Sequence, residues 1–274
     1  MEHTSPQNPV TGRDNKQIKY LTSLADPKVR KKERVYVIEG VKMVEDALRD
    51  NAGVKQVIAS PSLTRHHGRG IIRLAERSGV GLLWVSERLM DGIAESKTPQ
   101  PVLAVVSMRE WSEAALLDHP AGLIVICHQL QDPGNLGTII RTAEAAGASG
   151  VAVTPKTVDT YNPKAVRASM GSILRLPLAK IADIGSFLGE CGRKGFQTAA
   201  LVLNGSETLY ALDLTRPTVL ILGQEGSGLD QDITAAVEHR IRIPMADTID
   251  SLNVATSSAV VLYEAVRQRL QHKG

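Results

Sequence analysis

Two rhythms of apolar residues alternate along this chain. Val35 to Ile38 is a β-branched run of strand length, and after Gly40 the apolar residues Val41, Val44, Ala47 and Leu48 recur at helical spacing. Val54 to Ala59 then reads as a strand, Leu63 to Arg77 as a helix, Val80 to Val85 as a strand and Val102 to Val106 as another. Beyond a polar, turn-rich stretch ending in Asp118-His119-Pro120-Ala121-Gly122 the alternation resumes. Strands are expected at Leu123 to Ile126, Gly150 to Val153, Phe196 to Leu201, Thr218 to Leu222 and His239 to Ile243. A helix is expected from Asn135 to Ala146, stopped by Gly147, and a long one from Asn253 to Leu270. The pattern predicts an α/β protein with largely parallel strands in each half. The predicted boundary lies near 109–121: a first domain over 1–110 with 1–15 flexible, a linker at 111–120, and a second domain over 121–274. In the last helix Val254, Ala255, Ala259, Val261, Leu262, Ala265 and Val266 cover more than one stripe, which predicts burial on two sides, one of them against a second subunit.

Composition narrows the class. At 274 residues, 43% hydrophobic and 22% charged, the chain has globular proportions, and two domains suit its length. No apolar run reaches the roughly 18 residues of a membrane span. The polar segment Met1 to Asn15 has no leader-like apolar core, so a cytoplasmic protein away from membranes is expected. Cys127 and Cys191 read as small buried hydrophobes, and no spacing suits a metal.

The net charge of +3 hides an uneven distribution. Arg13, Lys16, Lys19, Lys28, Arg30, Lys31, Lys32 and Arg34 crowd one stretch, and Arg65, His66, His67, Arg69, Arg73 and Arg77 another. On a helix Arg69, Arg73 and Arg77 would share a face. A solvated surface explains either cluster alone; a polyanion footprint explains both. Aromatic residues make up only 3%, so phosphate contacts rather than base stacking would carry nucleic-acid binding, with Lys28, Arg30, Lys31, Lys32, Arg34, Arg69 and Arg73 as the contacts. The adjacent histidines 66 and 67 would diverge on a helix and read as surface or phosphate contacts.

The chain lacks a Gly-x-x-x-x-Gly-Lys phosphate loop, a His-Glu-x-x-His site, a Gly-x-Ser-x-Gly elbow and a Gly-x-Gly-x-x-Gly turn. Three loops remain, each after a predicted strand, where parallel sheets bind ligands. The first is Gln131-Asp132-Pro133-Gly134-Asn135-Leu136-Gly137, leading to Arg141; the second is Leu222-Gly223-Gln224-Glu225-Gly226-Ser227-Gly228-Leu229; the third joins Ile243-Pro244-Met245 to Ser251-Leu252-Asn253-Val254. Each alone reads as a turn or helix cap. Together they put Asn, Ser, Glu and Arg side chains and glycine backbone at one sheet edge.

In order and spacing these loops resemble the three motifs of the SpoU/TrmH branch of the SPOUT RNA methyltransferases. Val166-Arg167-Ala168-Ser169-Met170-Gly171-Ser172 resembles the family's linking stretch. Tyr36-Val37-Ile38-Glu39-Gly40-Val41-Lys42-Met43-Val44 more loosely resembles the start of its smaller, ribosomal-protein-like RNA-binding domain. The resemblance implies an S-adenosyl-L-methionine-dependent transfer of methyl to a ribose 2′-hydroxyl, a parallel-sheet domain with a trefoil knot, and a homodimer through that domain. It implies catalytic-type roles for Arg141, Asn135, Glu225, Ser251 and Asn253, and cofactor contacts at Gly223, Ile243, Leu252, Leu222, Gln224, Gly228 and Met245. Ribosomal RNA is the expected target ahead of transfer RNA. The chain departs from the family at His128 and Gln129, where an acidic residue and a glycine are common, and at Asp247, where glycine is usual. A catalytically silent RNA-binding factor on the same fold, or an unrelated α/β enzyme acting on a nucleotide or phosphorylated metabolite, is the alternative.

Overall fold

A computed structural model of the chain describes residues 5–65, 68–94, 96, 98–119, 122–246 and 248–272. His66, His67, Asp247 and the first four residues, for which the sequence raised expectations, lie outside the described residues. The chain divides into two units: Met1–Arg109 together with Tyr161–Arg167, and Glu110–Thr160 together with Ala168–Gly274.

In the first unit, strands β1 (Val35–Glu39), β2 (Val54–Ala59), β3 (Gly81–Trp84) and β4 (Val102–Ser107) form one sheet in the order β1-β4-β2-β3. β4 enters between β1 and β2 and runs opposite to both; only β2 and β3 are parallel. This corrects the expectation of a largely parallel first half: alternating elements do not dictate parallel pairing when the last strand returns through the middle. The basic stretch folds as two helices, Lys16–Ser23 and Pro27–Glu33, capped by the side chains of Asn15 and Asp26. Ile18 and Leu21 of the first helix, with Leu24 at its C-terminal cap, join Val35, Ile58, Leu83, Leu103 and Val105 in the core. The expected helix over 63–77 is instead a 3-10 turn, Pro61–Arg65, and a helix, Arg69–Arg77. Ahead of the two basic helices Val10 pairs with Val85, accepting from Ser86 N–H and donating to the Trp84 carbonyl at 2.9 Å each.

The second unit is built on seven parallel strands: β5 (Leu123–Cys127), β6 (Gly150–Val153), β7 (Leu178–Lys180), β8 (Gln197–Leu201), β9 (Glu207–Thr208), β10 (Thr218–Leu222) and β11 (His239–Arg242). Their order is β7-β6-β5-β10-β8-β11-β9. β5 and β10 are buried throughout, which explains their unbroken apolar runs. Leu123, Val125, Leu220 and Leu222 face a core shared with the helices Pro133–Ala145 and Val254–His272. Ile124, Ile126, Val219 and Ile221 face the opposite core, with Phe187 and Ile233 of the helices Ile184–Arg193 and Gln231–Ala236. The stretch expected as a linker carries a bridge from Trp111 to Ala179 and the helix Glu113–Leu116, whose Leu116 is buried in this second core.

Both cysteines are free and buried, as composition implied. Burial pushes the Cys127 thiol well up and Cys191 to about 12, so neither is a thiolate at neutral pH. Among the described residues no helix is long and apolar enough to cross a membrane.

Candidate functional site

Because every strand of the second sheet runs the same way, the loops after β5, β8, β10 and β11 emerge at one edge. The helix after β5 begins at Pro133, two residues earlier than the periodicity suggested. Asp132 caps it by accepting from Asn135 N–H at 2.9 Å, and Pro133 fills a first-turn position that needs no N–H donor. That places Asn135 in the first turn, facing the glycine loop.

Its carboxamide is engaged at both ends. Asn135 Nδ2 donates to Glu225 Oε1 at 2.8 Å, and Asn135 Oδ1 accepts from Asn253 Nδ2 at 3.1 Å. Glu225 Oε2 accepts from Gln131 N–H at 3.2 Å. Asn253 Oδ1 accepts from Ala255 and Thr256 N–H, at 2.9 and 3.3 Å, and so caps the last helix. The capping reading and the site reading of Asn253 hold together, one on each amide atom. Burial would raise the Glu225 carboxyl, but hydrogen bonds from Asn135 and from backbone N–H groups outweigh it and hold the group below its usual range. Glu225 is therefore an anion at neutral pH, fastening the second loop to the first.

Beside this chain lies a cleft of about 620 Å³. All seven residues expected to contact a cofactor line it: Leu222, Gly223, Gln224, Gly228, Ile243, Met245 and Leu252. Glu225, Ser251 and Asn253 border it as well. The glycine loop closes on itself through reciprocal hydrogen bonds of 3.0 Å between Gln224 and Gly228. A Cβ on Gly223 would collide with the Gly228 backbone, and Gly228 itself has φ +73°. Three glycines, Gly223, Gly226 and Gly228, and the apolar side chains Leu222, Ile243, Met245 and Leu252 line the cleft, so a ligand can approach the loop backbone closely between apolar walls. The size and this lining fit S-adenosylmethionine.

Arg141 stands two turns further along its helix. It is exposed, outside the cleft lining, and has no hydrogen bond or ion pair among the described residues. Sequence reasoning missed Leu201 at the end of β8 and Val202, Leu203 and Asn204 after it, which also line the cleft, together with Thr234, Arg240 and Ser257. The position of β8 beside β10 was the signal: its loop must open on the same edge.

In the first unit Lys28, Lys31, Lys32 and Arg34 are exposed, as are Arg69, Arg73 and Arg77 along one helix face. Arg30 is the exception and corrects the expected row of phosphate contacts. It is 2% exposed, with Nη1 donating to the Leu24 and Ala25 carbonyls at 2.8 and 2.7 Å, so its guanidinium closes the turn between the two basic helices.

Residues 122–263, more than half of the chain, match the SpoU rRNA Methylase family model, and residues 15–104 match the MRM3-like substrate binding domain. A Synechocystis sp. protein named an uncharacterized tRNA/rRNA methyltransferase is 34% identical over 97% of this chain and 96% of its own length. The 23S rRNA (guanosine(2553)-2′-O)-methyltransferase RlmP of Bacillus subtilis is 30% identical over 91% of this chain and 95% of its own. The AdoMet-bound rRNA methyltransferase of Sinorhizobium meliloti superposes with a TM-score of 0.83 at 34% identity, covering 94% of this chain and 97% of that one. With a glycine-rich cleft behind a Glu225–Asn135–Asn253 relay and a match of this extent, the chain belongs to the SpoU rRNA methylase family.

Proposed function

We propose that this protein transfers a methyl group from S-adenosyl-L-methionine to a ribose 2′-hydroxyl of RNA, with ribosomal RNA as the target. The observation that carries the reading is the relay Glu225–Asn135–Asn253, which joins all three loops at the mouth of the cleft. The family match and the 2′-O-methyltransferases among the relatives give the reaction type. A transfer-RNA target is the second choice, since a separate substrate-binding domain precedes the catalytic unit.

S-adenosylmethionine supplies an electrophilic methyl on a sulfonium. The chain's own residues bind, align and handle a proton. Gly223, Ile243 and Leu252 hold the cofactor largely through backbone groups, and Ser251 and Asn253 lie where they reach the substrate ribose or the cofactor loops. Alignment alone supplies several kcal/mol, about 7–11 at best. Arg141 carries the remaining electrostatic work. As a literal base it would have to be neutral, a form that a guanidinium does not take at neutral pH. In this reading its guanidinium binds the target phosphate and stabilises the developing alkoxide, and a phosphate oxygen or water takes the proton.

The working unit in this reading is a homodimer in the cytoplasm. Ala259, Tyr263, Val266 and Leu270 recur along the last helix at i, i+4, i+3 and i+4. Tyr263 is 53% and Leu270 67% exposed, an apolar ridge that a second copy would cover. The trefoil knot expected of the family belongs to the same proposal.

The test is transfer of labelled methyl from S-adenosylmethionine to purified ribosomal RNA and, separately, transfer RNA, followed by alkaline digestion. A 2′-O-methyl blocks cleavage at its own linkage, so an alkali-resistant labelled dinucleotide is expected from ribosomal RNA. Label in mononucleotides would mean base methylation and sink the mechanism. No transfer and no cofactor binding would leave an RNA-binding factor.

A further inference from the structure

The first loop is approached through His128 and Gln129, two of the three positions, with Asp247, at which the resemblance marked a departure. His128 follows β5 directly, and its backbone N–H donates to the Leu222 carbonyl at 2.8 Å, extending the β5–β10 ladder past the strand ends. The side chain is 6% exposed and bonded through both ring nitrogens. Nε2 lies 3.1 Å from Asp230 Oδ2, and Nδ1 3.1 Å from Thr154 Oγ1. A carboxylate only accepts, so Nε2 carries the hydrogen; in the neutral ring Nδ1 then accepts from the Thr154 hydroxyl. That hydroxyl oxygen accepts in turn from Gln129 N–H at 3.3 Å. Gln129 adopts φ 55°, the left-handed region in which glycine is at ease.

The partners of His128 matter more than its burial. Thr154 follows β6. Asp230 follows the last residue of the glycine loop and heads the helix Gln231–Ala236, where its carbonyl accepts from Ile233 and Thr234 N–H at 3.1 Å each. Leu229 before it and Thr234 after it both line the cleft. One imidazole therefore ties the ends of β5 and β6 to the point where the glycine loop leaves the cleft wall.

We propose that His128 is a positioning residue for cofactor binding: acting through Asp230, it fixes the exit of the glycine loop and the start of the helix that brings Thr234 to the cleft. The inference rests on reading that cleft as the S-adenosylmethionine site. Neither His128 nor Asp230 touches the cleft, so their effect is on its shape.

Calorimetric titration of S-adenosylmethionine into the full chain, with steady-state methyl transfer and thermal midpoints, tests this in His128→Ala, His128→Gln, Asp230→Ala and the double alanine variant. Asp230→Ala is the variant least able to disturb folding, because its side chain is 66% exposed and makes no cap hydrogen bond. The expected result is a cofactor Kd and KM raised about tenfold in either alanine variant, with kcat at saturating cofactor nearly unchanged. His128→Gln, which keeps a donor toward Asp230, should recover most of the loss, and the double variant should be no worse than either single one. A Kd within about twofold of the parent in Asp230→Ala, or losses that multiply in the double variant, would overturn the inference. Failure of the parent protein to bind S-adenosylmethionine would instead overturn the reading of the cleft, and the inference with it.

Discussion

Asn135 shows how little latitude a relay residue has. Its amide donates to Glu225 and accepts from Asn253, and no other side chain of that size does both. Asn135→Asp would set a second carboxylate against Glu225, whose carboxyl is held below its usual range, and so kept charged, in part by this very donor. Methyl transfer is expected to fall further in Asn135→Asp than in Asn135→Ala at pH 8, and the gap should close as the pH is lowered and the pair picks up a shared proton. The sign for the parent is opposite. A depressed carboxyl adds stability that is complete above the ordinary glutamate range and is lost as pH falls through the folded value, so the parent relay should weaken only in acid. Rate profiles from pH 5 to 9 separate the two behaviours. At Arg141 the comparison is charge against shape. If its work is electrostatic, Arg141→Lys keeps measurable transfer while Arg141→Ala loses on the order of 10²–10³ in kcat. Lysine no better than alanine would argue for a planar, two-pronged contact instead.

The elements differ in how far the sequence revealed them. β6 and β10 are legible to the residue, because a buried parallel strand is an uninterrupted apolar run closed by polar turn residues. β7 and β9, of three and two residues, carry too little pattern to stand out. The helices Lys16–Ser23 and Pro27–Glu33 are hidden by their own charge, since a solvent face rich in lysine drowns a narrow stripe of Ile18, Leu21 and Leu24. The three loops are readable as a set, and all of the expected cofactor contacts fall in one cleft. What spacing alone could not give was which side chains pair, since Glu225 meets Asn135 across a gap of 90 residues. The glycine loop offers a direct test. Gly223→Ala puts a methyl group into the Gly228 backbone, so the loop must open. Cofactor affinity should drop by more than tenfold and stability by about 1–3 kcal/mol, read by calorimetry and thermal melts. On the last helix, Leu270→Glu introduces charge into the exposed apolar ridge. In solution scattering or sedimentation the proposed dimer should dissociate, while a monomeric parent would remove the ridge from the argument.

For the molecule as a whole, the near-neutral net charge conceals a division of labour. The exposed cations Lys28, Lys31, Lys32 and Arg34 occupy one short stretch of the first unit, with Arg69, Arg73 and Arg77 on a helix of the same unit. If the first group meets phosphates, replacing all four by alanine should flatten the plot of log affinity against log salt by about 0.7–0.9 for every phosphate set free, without altering cofactor affinity. An unchanged slope would place the RNA elsewhere. Arg30→Ala should behave differently, lowering the melting temperature by removing the partner of the Leu24 and Ala25 carbonyls, the first of them buried, and leaving the salt slope alone.

The strand order of the second unit also sets a schedule. β5 lies against β10, which follows it by roughly a hundred residues; at about 5–20 residues per second of synthesis, its partner arrives several seconds later. The relay is later still, because it needs Asn253 at the head of the final helix. If the first unit binds RNA as proposed, a nascent chain can therefore meet RNA well before it can modify it. Competence for transfer comes as one event, when the last helix closes over the sheet.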